Sequence, residues 1–282
     1  MPAWLADPAL LSHQGEFYLY ATSDGLPDWA SPVINVWISP DLNSWRDGGE
    51  VLRLGRDVKW AGAKAWAPAI ARRGGRVYLY YTAQGDGVGV AWAPTPVGPF
   101  TDLGHPLVAP AGGSTIDPAV FEDRDGAWYL LWGNTTAHLA PLAEDMMSID
   151  TAQTVSWTPT AFREAIWLHR RAGTYYLSWS ENDTRAPEYR VRYATGPSVF
   201  GPWTDQGVLL EQDRAAGILG TGHHTIIRLP GEDTWIIAYH CFTPGGDGYH
   251  RAIRFDFLIH GSDGSLSPVR PRDGAVVASR PT

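Results

Sequence analysis

The sequence predicts an all-β chain folded as a five-bladed β-propeller, with four antiparallel strands per blade and residues 1–282 forming one domain. Three observations carry this expectation. One phrase recurs along the chain at a period of about 50–60 residues: a leading motif, a glycine-bearing turn, then an aromatic strand. Short β-branched and aromatic runs bounded by Gly, Pro and Asp follow one another, and no stretch keeps a helical period for long. Gly at 31 residues and Pro at 22 also disfavour long helices. Sheets that are aromatic on both faces need a neighbour on each side. Five of them satisfy one another by closing into a ring, without the end caps a solenoid requires.

The repeats can be read in order. Asp7-Pro8-Ala9-Leu10 leads through Gly15 to Phe17-Tyr18-Leu19-Tyr20. A turn region, Asp24-Gly25-Leu26-Pro27-Asp28, follows, then strands at 33–39 and around 44–52. Ala67-Pro68-Ala69-Ile70 leads through Gly74-Gly75 to Val77-Tyr78-Leu79-Tyr80, with an alternating strand over 87–93. Asp117-Pro118-Ala119-Val120 leads through Asp125-Gly126 to Trp128-Tyr129-Leu130-Leu131, and Pro141 to Met147 is the one place where a helical turn is expected. Glu164-Ala165-Ile166-Trp167 leads through Gly173 to Thr174-Tyr175-Tyr176-Leu177. Gly222-His223-His224-Thr225 leads through Gly231 to Trp235-Ile236-Ile237. Repeats two and four end alike, in Val97-Gly98-Pro99-Phe100-Thr101-Asp102 and Val199-Phe200-Gly201-Pro202-Trp203-Thr204-Asp205. The chain then closes through 251–260, a turn at Ser262-Asp263-Gly264-Ser265, and a Pro/Arg-rich tail.

Composition narrows the function. Lys+Arg 22 against Asp+Glu 30 gives a net charge of -8, with no basic run longer than a pair, which argues against nucleic-acid or anionic-membrane partners. Nothing approaches the roughly 18 apolar residues of a membrane span. Met1-Pro2-Ala3-Trp4 carries no leader-like pattern, so the expected location is cytoplasmic, or secreted with the signal peptide outside this sequence. The single Cys241 reads as a small core hydrophobe. Trp 14 and Tyr 12 suit strand packing first, and sugar stacking second.

In a propeller the innermost strand of each blade begins near the axis, so the residue opening each repeat points into one shared funnel. Down that column stand Asp7, Ala67, Asp117, Glu164 and Gly222-His223. Hydrolysis of a glycosidic bond needs one carboxylic acid to protonate the leaving oxygen and one carboxylate to activate water or attack carbon. Crowding among acids in a partly dry funnel raises the pKa of one of them, which suits it to be the acid. Carboxylates recurring at one position also suit a cation.

These motifs resemble glycoside hydrolase family 43 over nearly the whole chain. The resemblance rests on Asp7-Pro8 before Gly15–Thr22, Trp66-Ala67-Pro68, Ile116-Asp117-Pro118, Glu164 before Gly173–Leu177, and Gly220-Thr221-Gly222-His223. It implies a five-bladed propeller and an inverting hydrolase of arabinose- or xylose-containing glycans. By carry-over, Asp7 is the general base, Glu164 the general acid, and Asp117 the group that tunes and orients the acid. His223 matches the axial histidine that in many members helps hold calcium or another ion in the channel. No cofactor is required for the chemistry. Arg251 matches an arginine that contacts the sugar in the innermost subsite, and Trp66 an aromatic against the substrate. Many members carry Glu-Gly-Pro at the acid, whereas this chain reads Glu164-Ala165-Ile166, which leaves Glu181 and Glu188 as fallback acids.

Each assignment has a plainer alternative. Asp7 and Asp117 open Asp-Pro turns, His223 competes with His224 for the inward face, Arg251 has Asp247 nearby for a surface ion pair, and Trp66 suits the core. Glu181, Asp183 and Glu188 are expected in a loop over the funnel mouth. The leading reading is an exo-acting α-L-arabinofuranosidase, with a β-D-xylosidase, arabinanase or galactanase as alternatives. The partner is an oligo- or polysaccharide from plant hemicellulose or arabinan. A non-catalytic sugar-binding propeller is the competing class. A sucrose-cleaving propeller is disfavoured, because it would carry Asn-Asp-Pro and Arg-Asp-Pro where this chain reads Ala6-Asp7-Pro8 and Ile116-Asp117-Pro118.

Overall fold

The computed structural model describes residues 4–112 and 114–272; the first three residues of the N-terminal segment and most of the Pro/Arg-rich tail lie outside the described residues. The first blade holds β1 (Leu5–His13), β2 (Glu16–Ser23), β3 (Val33–Ser39) and β4 (Arg46–Arg53) in that order. The second holds β5 (Trp66–Arg73), β6 (Arg76–Thr82), β7 (Val88–Ala93) and β8 (Thr101–Asp102). The third holds β9 (Ala119–Glu122), β10 (Trp128–Trp132), β11 (Ala137–Leu142) and β12 (Val155–Trp157). The fourth holds β13 (Glu164–Arg171), β14 (Thr174–Glu181), β15 (Arg190–Gly196) and β16 (Thr204–Leu210). The fifth holds β17 (Gly222–Arg228), β18 (Trp235–Phe242) and β19 (Arg251–Leu258), three strands among the described residues. The chain is therefore an all-β, five-bladed propeller.

Period-2 alternation explains the ring. Within β2, Leu19 faces the fifth blade, where it meets Ile236 and Ala238, while Tyr18 and Tyr20 face the second blade and meet Leu79 and Tyr81. Every other interface repeats this arrangement. Tyr80 and Leu130 share the second–third core, Leu131 and Leu177 the third–fourth, and Tyr176 and Tyr239 the fourth–fifth. Both faces of each sheet are thus removed from water, and closure lies between the fifth and first blades.

The matching ends of repeats two and four fold alike. Thr95 Oγ1 donates to the Gly98 carbonyl at 2.9 Å, and Ser198 Oγ to the Gly201 carbonyl at 2.6 Å. The helical turn expected over Pro141–Met147 is absent. Pro141 and Leu142 complete β11, and the Asp145 carboxylate then takes the Met147 and Ser148 amides at 2.9 and 3.1 Å, which makes a turn instead. Short 3-10 turns occur at Pro27–Trp29 and Thr151–Gln153. Cys241 is buried in β18, as expected, with Arg254 Nε at 2.9 Å from its sulfur.

Candidate functional site

The site is built by one backbone device repeated around the axis. In four blades the first strand slips register against the second at the same place: after Ala6, Trp66, Glu164 and Gly222. The residue that follows the slip has a left-handed backbone: Asp7 (φ 53°), Ala67 (φ 45°), Ala165 (φ 57°) and His223 (φ 41°); Asp117 (φ 57°) takes the same conformation just ahead of β9. Such a conformation costs a non-glycine residue roughly 1–3 kcal/mol, and it persists only where the surroundings hold it. Glu164 is therefore not in the same column as Asp7 and Asp117. It stands one residue earlier, level with Ala6, Trp66, Ile116 and Gly222, and Ala165 fills the left-handed position. The bulge adds a residue, so the cavity can be reached either from the left-handed position or from the one before it. Asp7, Asp117 and His223 reach it from one position, Trp66, Ile116 and Glu164 from the other.

Each left-handed residue has its N–H held by a side chain from a neighbouring blade. Thr22 Oγ1 takes the Ala67 N–H at 2.8 Å, Thr82 Oγ1 the Asp117 N–H at 3.0 Å, and Ser180 Oγ the His223 N–H at 2.9 Å. In the third blade the corresponding position is Gly133. A Cβ there would come 2.0 Å from the Thr136 carbonyl oxygen, so no hydroxyl can be offered. Asp117 substitutes for it: its Oδ2 accepts the Ala165 N–H at 3.1 Å. One carboxylate thus fixes the backbone beside Glu164. The fifth position belongs to His240, whose Nδ1 faces the Asp7 N–H at 3.3 Å.

Asp7, Asp117 and Glu164 are all buried and all line one cavity of about 220 Å³. Their surroundings push them apart. Burial alone would raise Asp7, but the Arg251 guanidinium, with His223 and His240 against the same carboxylate, holds it well below the usual range. Arg251 Nη1 lies 3.2 Å, His240 Nδ1 3.0 Å and His223 Nδ1 3.3 Å from Asp7 Oδ1. Burial raises Glu164 to about 7, with the charges of Asp7 and Asp183 adding to the shift and the Tyr189 hydroxyl and Arg163 opposing it. Tyr189 donates to Oε1 and Asn134 Nδ2 to Oε2, both at 3.0 Å, so the acid is held from two sides. Burial also raises Asp117, reinforced by the charges of Glu164 and Asp7. One carboxylate ionised at neutral pH and one poised near it is the division that acid–base catalysis needs.

The remaining sequence expectations divide. His223 faces the site, whereas His224 turns away and pairs with Ser178 Oγ at 2.6 Å. Arg251 does not pair with Asp247, which instead meets His250 at 2.9 Å. Its Nε and Nη2 each donate to Asp24 at 2.7 Å, so Asp24 aims the guanidinium at Asp7. Trp66 is half-buried on the cavity wall rather than in the core, and its Nε1 donates to the Trp29 carbonyl at 2.6 Å. Neither fallback acid reaches the cavity. Glu181 is held low by Arg190 and Arg192 despite partial burial, and Glu188 pairs with Arg214 at 2.6 Å. Of the expected mouth loop, Asp183, Thr184 and Arg185 do line the cavity.

Sequence reasoning missed Asp24, Trp29, Asn134, Thr184, Tyr189 and His240. For His240 a signal existed: Thr22, Thr82, Gly133, Ser180 and His240 form a second column, at the end of each second strand. Trp29 stacks on Tyr249 with centroids 4.4 Å apart and rises beside Arg251, but it comes from a turn with no counterpart in the other repeats.

The residues around His223 do not fit a calcium shell. A hard cation takes six to eight oxygens. Here a single imidazole faces two carboxylates, at 3.3 and 3.6 Å, and among the described residues no group of three or more His, Cys, Asp or Glu is arranged to hold a metal ion. Among the described residues no helix is long and apolar enough to cross a membrane.

Comparison with known proteins agrees with this geometry. The family model described as glycosyl hydrolases family 43 matches residues 1–265. An arabinoxylan arabinofuranohydrolase of Bacillus subtilis is 32% identical over 94% of this chain; the chain spans 62% of that relative's length. A xylosidase/arabinosidase of Bacteroides ovatus is 28% identical, with 96% of each covered. Among solved structures, an α-L-arabinofuranosidase of Clostridium thermocellum superposes with a TM-score of 0.79 at 29% identity, covering 95% of this chain and 94% of its own. A β-xylosidase/α-arabinofuranosidase from a compost metagenome, described in a calcium-free form with xylotriose, superposes with a TM-score of 0.80 at 26% identity, covering 95% and 94%. The chain belongs to glycosyl hydrolase family 43.

Proposed function

We propose that this protein is an inverting, exo-acting glycosidase that releases a terminal α-L-arabinofuranose from arabinan or arabinoxylan fragments. The observation that carries the reading is the opposed shift of two carboxyls in one cavity: Asp7 held low by Arg251, Glu164 raised to about 7 by burial. Asp7 Oδ takes a proton from a water as that water attacks the anomeric carbon. Glu164, protonated, gives its proton to the departing glycosidic oxygen as the C–O bond breaks. Asp117 orients the acid through the Ala165 amide. Arg251 and His223 are the polar groups for the sugar hydroxyls, and Trp66 and Trp29 offer ring faces at the mouth.

A cavity of about 220 Å³ is smaller than the 300–1,000 Å³ typical of drug-sized ligand sites, and suits one terminal sugar ring rather than the middle of a polymer. The names of the Bacillus and Clostridium relatives favour arabinofuranose. The name of the Bacteroides relative carries the second reading, a β-D-xylosidase sharing the same cavity. A panel of aryl α-L-arabinofuranoside, β-D-xyloside and β-D-galactoside tests the substrate. Fastest turnover of the arabinofuranoside supports the reading; preference for the xyloside replaces it with the second. Glu164→Gln separates either enzyme from a sugar-binding propeller. It should lower hydrolysis by about 10²–10⁴-fold while sugar binding persists.

A further inference from the structure

The groups that cap the left-handed amides are not alike. Thr22, Thr82 and Ser180 offer small hydroxyls, whereas the fifth position carries an imidazole with no exposure to solvent. A hydroxyl would satisfy the Asp7 amide, but it could not reach beyond it. The imidazole does. Its Nδ1 lies 3.3 Å from the Asp7 amide nitrogen and 3.0 Å from Asp7 Oδ1, and its Nε2 lies 3.3 Å from Thr184 Oγ1. Thr184 Oγ1 also accepts from Arg251 Nη1 at 3.2 Å, and Arg251 Nη1 in turn donates to Asp7 Oδ1 at 3.2 Å. Asp7, His240, Thr184 and Arg251 therefore close a ring of contacts. On its flat side His240 stacks on Tyr189, with centroids 5.5 Å apart and planes 10° from parallel. Tyr189 is the residue whose hydroxyl holds Glu164. Its ring also lies against Gly222, where a Cβ would come within 2.2 Å of it.

We propose that His240 is a positioning residue for Asp7: its Nδ1–H donates to the Asp7 carboxylate and its Nε2 accepts from the Thr184 hydroxyl, which ties Asp7, through Thr184 and Tyr189, to the 182–189 loop that orients Glu164. The proposal rests on Asp7 being the general base. Burial keeps His240 neutral at working pH, its pKa lowered to about 3, so it acts as a hydrogen-bond partner rather than as a charge. The other groups facing Asp7 are Arg251 from β19, with Asp24 behind it, His223 from β17, and the carboxyls of Asp117 and Glu164. Each of these groups is retained in a His240 variant.

Two substitutions separate the ring nitrogens. In His240→Asn the amide group stands near the Nδ1 position and keeps the Asp7 contact. In His240→Gln it stands near the Nε2 position and keeps only Thr184. The readout is the pH profile of kcat/KM on an aryl pentoside, whose acidic limb reports Asp7 in the free enzyme. His240→Gln should move that limb upward by about one pH unit and lower kcat about tenfold, with KM nearly unchanged. His240→Asn should hold the limb near its wild-type position, and the alkaline limb should stay fixed in both. Indistinguishable acidic limbs in the two variants would overturn the proposal. If melting curves show that neither variant folds, Thr184→Val decides: a raised acidic limb supports the linkage, an unmoved one overturns it. Asp7→Asn runs beside them. Wild-type activity in that variant would refute Asp7 as the base, a failure distinct from that of the His240 pair.

Discussion

At the scale of the residue, the site stores free energy that folding supplies. Asp7, Ala67, Asp117, Ala165 and His223 are all left-handed, and none is glycine. Two buried carboxyls are also held in environments that penalise their charge. The sign of the resulting pH dependence follows from linkage. Glu164 has its pKa raised to about 7 in the folded chain, against about 4.3 when unfolded. The folded state therefore binds more protons in that window, and the contribution of Glu164 to stability falls as pH rises through it. Glu164→Gln should accordingly raise the melting temperature relative to wild type more at pH 8 than at pH 5, while abolishing most turnover. Thermal melts at the two pH values check this; an equal effect at both would contradict the raised pKa. Asp7 behaves oppositely: its lowered pKa gives stability that is present above the unfolded value near 3.9 and is lost as pH falls below it. In kcat/KM, activity should decline on the alkaline side with an apparent pKa near 7, and hold on the acidic side to well below it.

At the scale of the element, the first strand of each blade serves both as a wall of the core and as a mount for chemistry. The bulge that re-aims the mount is held by its neighbour, so the caps can be graded by what they support. Thr22→Val leaves the Ala67 amide without a partner, and Thr82→Val does the same for Asp117. Each should cost about 1–3 kcal/mol, the penalty of an unsatisfied buried donor. Only Thr82→Val should also lower kcat strongly, because Asp117 in turn holds the Ala165 amide beside Glu164. Chemical denaturation paired with steady-state kinetics distinguishes the two; equal kinetic losses would refute the mounting role.

This level also shows how far sequence reading reached. The periodic strands, the matching Gly-Pro endings and the acids at blade openings were legible because they repeat. The one-residue offset of Glu164 was not, since a bulge is decided by backbone conformation and Ala165 gives no glycine to mark it. Asp24, Thr184 and Trp29 escaped for another reason: they lie in turns particular to one blade, and they enter the site only through contacts across the ring. Arg251 lines the cavity, but its partner Asp24, more than two hundred residues away, was not legible in the sequence.

At the scale of the whole molecule, closure of the ring and assembly of the site are one event. Arg251 and His240 come from the fifth blade, and Asp7 and Asp24 from the first. The interface that brings them together is the core where Leu19 meets Ile236 and Ala238. Leu19→Ala should cost about 2–5 kcal/mol. It should also lose activity and tryptophan fluorescence in a single transition as denaturant rises, since opening that seam separates Asp7 from Arg251. Activity that vanishes well before the fluorescence change would mean the site frays independently of the seam.

Inversion requires Asp7 to deliver water from the face opposite Glu164. Proton NMR of the sugar released in the first minutes of hydrolysis, before mutarotation, measures this directly. A product of inverted anomeric configuration is predicted; a retained one would mean that Asp7 attacks carbon itself, and would contradict Asp7 as general base.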